Sequence, residues 1–228
     1  MPISHVRLAL AALGLLAADP VLAHPHVWVT SKAVIDYESG RVTGVRHAWT
    51  FDAGYSAFVT QGLDANKDGT LSPEELQGLA AENTANLAEF AYFTKLKVAG
   101  KEQPFGEPRE PRMHMDGDKL TLSFVLPLKN PVAQGRGVAA MEVYDPTYFV
   151  SFSLSDEADA AKLSGAPSGC ALNLTRPKPA EAKTAEAGKP ESGKPESGKA
   201  MTEAFFEALT ASANYGVQFA NRVIVACP

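Results

Sequence analysis

The chain has only two cysteines, no run of basic residues and, beyond its first two dozen positions, no long apolar stretch. Each shortage excludes something. Without a basic run, and with a formal net charge of -5, nucleic acid and anionic lipid are not expected partners. Without a second apolar stretch, the mature chain is expected not to be embedded in a membrane. Two cysteines make no thiolate cluster. Gly-x-Ser-x-Gly, a phosphate-binding glycine loop and His-Glu-x-x-His are all missing, so no catalytic residue is assigned and an enzyme is not expected.

What the first residues do contain is an export signal. Arg7 precedes an apolar run over residues 8–18, Asp19-Pro20 breaks it, and the segment ends at Val21-Leu22-Ala23, a pattern of secretory leaders. Cleavage after Ala23 would expose His24-Pro25-His26-Val27-Trp28 as the mature amino terminus. Removing His5, Arg7 and Asp19 leaves four histidines and the same net charge. Export to an oxidising compartment favours disulfides, so Cys170 and Cys227 are read as one bridge.

Patterning predicts an α+β protein: a mostly antiparallel β core, an inserted EF-hand-like helical hairpin at about residues 53–92, and a C-terminal helix and strand. Residues 27–37 and 42–51 read as a hairpin around Glu38-Ser39-Gly40-Arg41. With Ser39-Gly40 as a two-residue turn, Thr30 falls opposite Trp49, and His26 and Trp28 share a face with His47 and Trp49. A turn longer or shorter by one residue would separate them. Helices are predicted over residues 53–63 and up to Tyr92, the second with the stripe Leu76, Leu79, Asn83, Leu87 and Phe90, in which Asn83 is the one polar break. Strands follow near residues 95–98, 112–115, 120–126, 140–143, 149–154 and 171–174. Residues 177–200 repeat Gly-Lys-Pro-Glu-Ser and hold no large apolar side chain, a linker composition expected to stay disordered. Met201, Phe205 and Leu209 form an apolar helical stripe, and residues 222–227 read as a last strand. The parts 24–176 and 201–228 are therefore expected to complete one domain around a floppy excursion.

Two constellations carry chemistry. Counting Asp64 as position 1 places Asn66 at 3, Asp68 at 5, Gly69 at 6, Thr70 (through its carbonyl) at 7, Ser72 at 9 and Glu75 at 12. This is the oxygen-ligand spacing of an EF-hand calcium loop. Ser72-Pro73-Glu74-Glu75 is also a helix capping box, which accounts for Ser72 and Glu75 and not for the other four. A single loop suits structural calcium better than a switch. The second constellation is the histidine set, His24, His26, His47 and His114. A free amine and two imidazoles at the mature terminus suit zinc foremost, with nickel, cobalt or copper as alternatives. Pro25 lacks an N–H, which blocks the planar mode through deprotonated amides. Chelation by His24 and His26 then needs completion by His47 or by a carboxylate such as Asp52. Tyr144-Asp145-Pro146-Thr147-Tyr148 reads as a β-turn with tyrosines packed on the core.

These segments, with Trp49-Thr50-Phe51-Asp52, residues 142–149 and the ending Phe219-Ala220-Asn221-Arg222-Val223, resemble bacterial periplasmic proteins grouped as domain of unknown function 1007. The resemblance spans nearly all of the mature chain except the linker. It implies a periplasmic component associated with membrane transporters of the nickel/cobalt type, and in some cases with zinc uptake. An inner-membrane metal permease is thereby the implied partner. Two other readings stay open: a copper protein whose amino-terminal histidine brace activates oxygen, and a calcium-stabilised periplasmic assembly module.

Overall fold

The computed structural model describes residues 25–177 and 215–228. The expected leader, His24, nearly all of the linker and the Met201/Phe205/Leu209 stripe lie outside those residues. Among the described residues the protein is mostly β, with eleven strands in two sheets.

The first sheet grows from the predicted hairpin, β1 (Val27–Glu38) and β2 (Arg41–Phe51). Ser39 and Gly40 both take positive φ, 49° and 75°, the two-residue turn that matches strand twist. β5 (Arg109–Asp116) and β6 (Lys119–Ala133) form a second hairpin that joins β2, and β8 (Val150–Leu154) lies on the far side of β1, giving the order β5-β6-β2-β1-β8. β6 alternates into the core through Leu120, Leu122, Phe124, Leu126 and Leu128, and it runs past its predicted end because Val132 and Ala133 go on pairing with β2. β8 and a short strand not foreseen in the sequence, β9 (Ala161–Ser164), both pair parallel to β1. This sheet is therefore mixed.

Register corrects one expectation. Glu38 does pair with Arg41, but the pairing slips between Asp36 and Tyr37, where Thr43 is an extra residue in β2. Beyond the slip Ser31 faces Trp49 and Thr30 faces Thr50. The predicted partnership of Thr30 with Trp49 is off by one, and one residue flips a whole strand face. The odd residues Val27, Val29, Ser31, Ala33 and Ile35 point inward with His47, Trp49 and Phe51, while His26 and Trp28 lie on the outer face. The bulge has a cause. Val42 and Val45 are both buried yet three apart, which a regular strand cannot achieve. Gly44 beside the bulge lies so close to β6 that a Cβ would stand 2.7 Å from the Leu126 carbonyl oxygen.

The second sheet is antiparallel in the order β10-β11-β7-β3-β4: β10 (Ala171–Thr175), β11 (Asn221–Ala226), β7 (Val138–Val143), β3 (Thr94–Val98) and the unforeseen β4 (Lys101–Glu102). Residues of both sheets share one hydrophobic core. Buried polar groups stitch the layers. The Asn221 amide donates to the Phe152 carbonyl at 2.6 Å and accepts from the Leu154 N–H at 3.2 Å. Tyr37 donates to Gln134 at 2.6 Å, and Gln134 donates to the Val225 carbonyl at 2.9 Å. The Cys170–Cys227 bridge forms as predicted, at the β10/β11 end.

Between β2 and β3 the chain makes the helical excursion. α1 (Ala53–Val59) ends sooner than predicted, at Thr60, and Gly62 turns the chain away with φ 78°. α2 (Pro73–Asn86) starts with the predicted capping box and proline. It gives way at Leu87 to a tighter 3-10 turn and does not run as a helix to Tyr92. Ala91, Tyr92 and Phe93 then take φ of 48°, 55° and 46°, a left-handed run that costs on the order of 1–2 kcal/mol per residue. Aromatic packing holds it: Phe93 meets Trp49 at 6.3 Å and Phe152 at 5.3 Å.

Candidate metal centre

The amino-terminal end of β1 is fixed on both flanks. The His26 N–H donates to the Phe149 carbonyl at 2.9 Å, and the two rings lie 4.8 Å apart. On the other side the Trp28 N–H donates to Asp52 Oδ2 at 3.0 Å, and Asp52 N–H donates back to the Trp28 carbonyl at 2.9 Å. Asp52 also caps α1, accepting from the Tyr55 N–H at 3.0 Å. Burial pushes the Asp52 carboxyl up, but N–H bonds from Tyr55, Trp28 and Gly54 outweigh it and hold its pKa below the usual range. Asp52 is thus a carboxylate anchored beside the segment that carries His26, which is itself exposed.

The other imidazoles are elsewhere. His47 pairs with Ala33, seven residues along β1 from His26, or about 23 Å at strand rise. It is also on the opposite face and 2 % exposed, with ring centres 5.3 Å from Trp49 and 5.2 Å from Phe124. Burial pushes its pKa down to about 3, so it is neutral. The Thr94 hydroxyl donates to the Tyr92 carbonyl at 2.8 Å, leaving its oxygen to accept from His47 Nε2 at 3.3 Å. Nδ1 finds no partner among the described residues. His114 is exposed on β5 and pairs with Thr121, which pairs with Thr50, which pairs with Thr30. Two strands, β6 and β2, lie between it and β1, three spacings or about 14 Å. The expectation that His26 and His47 share a metal fails on register, and His114 is brought to neither.

Residues 64–75 are folded around their own carboxylates. Asp64 accepts from the N–H groups of Asp68 and Gly69 at 3.2 and 3.0 Å, and Asn66 Oδ1 accepts from Asp68 N–H at 2.9 Å. Asp68 accepts from the Thr70 N–H and hydroxyl at 2.8 and 2.7 Å. Glu75 reaches back across the loop: Oε1 accepts from Ala65 and Asn66 N–H at 2.9 and 3.4 Å, and Oε2 from Ser72 N–H and hydroxyl at 2.9 and 3.0 Å. Lys67 and Gly69 take positive φ, 60° and 82°. The Thr70 hydroxyl first, then its N–H, holds Asp68 ionised below the usual range, and Ser72 does the same for Glu75. The loop's carboxylates are thus satisfied by its own N–H and hydroxyl groups. Among the described residues, no three His, Cys, Asp or Glu side chains come together as a metal-holding group.

Asp145 and Phe149 organise the same end of the molecule. Asp145, 5 % exposed, accepts from Thr147 N–H, Thr147 hydroxyl and Val150 N–H at 2.8, 2.8 and 2.9 Å. The turn expected over residues 144–148 is present, closed by Tyr148 N–H on the Asp145 carbonyl at 3.0 Å. It delivers Phe149 to His26. The Asp-Pro-Thr order was the available signal, since such a side chain caps its own backbone two residues on.

Fold and site together define a disulfide-bonded two-sheet β domain with a carboxylate-rich loop on a helical excursion. The chain belongs to the family described as "Protein of unknown function (DUF1007)", whose profile matches residues 9–227. It is similar to an uncharacterized protein of Haemophilus influenzae, 24 % identical over 222 residues that cover 94 % of this chain and 96 % of the relative. Among the described residues no helix is long and apolar enough to cross a membrane.

Proposed function

We propose that this protein is a periplasmic transition-metal-binding accessory that serves an inner-membrane metal permease, with zinc the foremost cargo and nickel, cobalt or copper alternatives. The observation that carries the reading is the anchored amino-terminal end of β1. His26 is exposed while its backbone is tied to Phe149 and its neighbour Trp28 to Asp52. Donors arriving from His24 would meet a positioned imidazole there. The ligand set is accordingly the amine and imidazole of a mature His24 with His26, without His47 or His114. Because the amine must be neutral, affinity rises with pH through about 7.7–8.0. One extra residue ahead of His24 is expected to weaken zinc binding at least tenfold, about 1.4 kcal/mol, whereas His47→Ala titrates like the parent. Calorimetric titration of native and extended termini checks this, and equal affinities would sink it.

Residues 64–75 would hold calcium in EF-hand fashion through Asp64, Asn66, Asp68, Thr70 carbonyl, Ser72 and Glu75, as a brace for the helical excursion. Millimolar calcium should raise the melting temperature, since a ligand that binds only the folded state adds stability. Glu75→Gln should erase that gain. A wild-type melting curve unmoved between calcium and chelator would dismiss the site. The wide separation of the three described imidazoles favours a second reading, a calcium-stabilised periplasmic assembly module without a transition metal. Under it the calcium shift survives while the zinc titration is flat.

A further inference from the structure

A cavity of about 400 Å³ opens between α2 with its following 3-10 turn, the inner face of β1 and β2, and the loop before β8. That volume lies in the range of small-molecule sites, which are concave, mostly apolar and carry a few polar groups. Its walls are apolar, formed by Val29, Leu79, Leu87, Phe93 and Phe152.

Four independent features converge on it. Two of the few large apolar side chains exposed among the described residues, Phe90 and Phe149 (52 % and 42 %), border this one opening. Both rims are held by left-handed backbone at residues that are not glycine: Ala91, Tyr92 and Phe93 on one side and Tyr148, φ 59°, on the other. Such strain survives where packing over-determines it and gathers at ligand clamps. Trp49 lines the cavity and gives it a broad aromatic wall. Finally, Asn83, the one polar break in the apolar stripe of α2, lines this cavity. A helix that needed only to pack would have carried an apolar residue there.

Charge narrows the ligand. The lining includes Glu82, Asp145, Asn83 and Asn86, and among the described lining residues there is no Lys, Arg or His. Fatty acids and other anion-headed lipids would meet like charge with no counter-ion. We infer that this cavity is a binding site for an uncharged or cationic apolar molecule. The inference is independent of the metal reading above.

The chain has two tryptophans, one exposed (Trp28) and one in the cavity wall (Trp49), so Trp28→Phe leaves a single reporter at the site. The probe is the neutral ketone 6-propionyl-2-(dimethylamino)naphthalene, titrated into the full mature chain and excited through Trp49. One-to-one binding with blue-shifted, tryptophan-sensitised emission is expected. Asn83→Phe, which fills the cavity, should weaken binding at least tenfold, and Leu79→Phe should weaken it in the same direction; melting curves confirm folding of each. The anionic dye 1-anilinonaphthalene-8-sulfonate should bind the parent at least tenfold more weakly than the ketone. Absence of ketone binding, ketone binding unaffected by both filled variants, or equal affinity for the anionic dye would each overturn the proposal.

Discussion

Replacing Cys170 and Cys227 by serine is expected to lower stability by about 4 kcal/mol, since their bridge closes a loop with a sequence separation of 57 and cross-linking stabilises by restricting the unfolded chain. For a domain of this size that is a fall of ~10 °C in melting temperature. The location strengthens the expectation. Among the described residues β10 is an edge strand with one neighbour, β11, and the bridge ties its start to the end of that neighbour. The loop it closes contains residues 178–214, so without the bridge β11 must be recovered from the far side of a long connection. Melting of wild type and double variant, each with and without reductant, measures the effect. A loss below about 1 kcal/mol would mean that the unfolded chain is already held compact by other contacts.

Acidification supplies the second large effect, through His47. Folded, it is neutral with a pKa pushed down to about 3 by burial; unfolded, it titrates near 6.5. Below about pH 6.5 the unfolded chain takes up a proton that the folded one refuses. The associated stability is therefore fully present above that pH and is lost as pH falls from about 6.5 toward 3. The slope is about 1.4 kcal/mol per pH unit, or ~2 kcal/mol between neutrality and pH 5. His47→Leu keeps an apolar side chain of moderate size between Trp49 and Phe124 and removes the proton acceptor. The variant should lose this slope, while carboxylates such as Asp52 and Asp68, held below their usual range, add theirs only at lower pH. Denaturant titrations of both proteins at pH 7, 6 and 5 provide the test. Parallel pH dependence in the two would show that His47 is not the group responsible. A metal ligand at this position would instead have to open the core between two aromatic rings, which is why the expected His26–His47 pair does not survive.

Much of the architecture is legible without coordinates because it is local. The Ser39-Gly40 turn, the capping box at Ser72 and Glu75 and the alternation of β6 each depend on neighbours in sequence, and each forms as read. The disulfide was legible because two cysteines leave one intramolecular pairing. The bulge too is local in origin: Val42 and Val45, both apolar and three apart with a glycine between them, already signal it. Reading the hairpin as regular moved every face beyond Asp36 by one residue.

Tertiary structure decided the rest. That β8 and β9 run parallel beside β1, that Asn221 clamps β8 and that Phe149 meets His26 all join residues far apart in sequence, and no period within a segment encodes them. The break of the predicted long helix at Leu87 is of the same kind. Residues 87–93 have helical composition, but seating Phe93 between Trp49 and Phe152 outweighs local propensity and drives three residues left-handed. Sequence alone determined which side chains offer nitrogen and oxygen donors and which stretches alternate, because those are properties of residues and their near neighbours. Which donors meet was decided by one bulge and by the stacking of two sheets, because a single-residue slip sends an imidazole from solvent into an aromatic core.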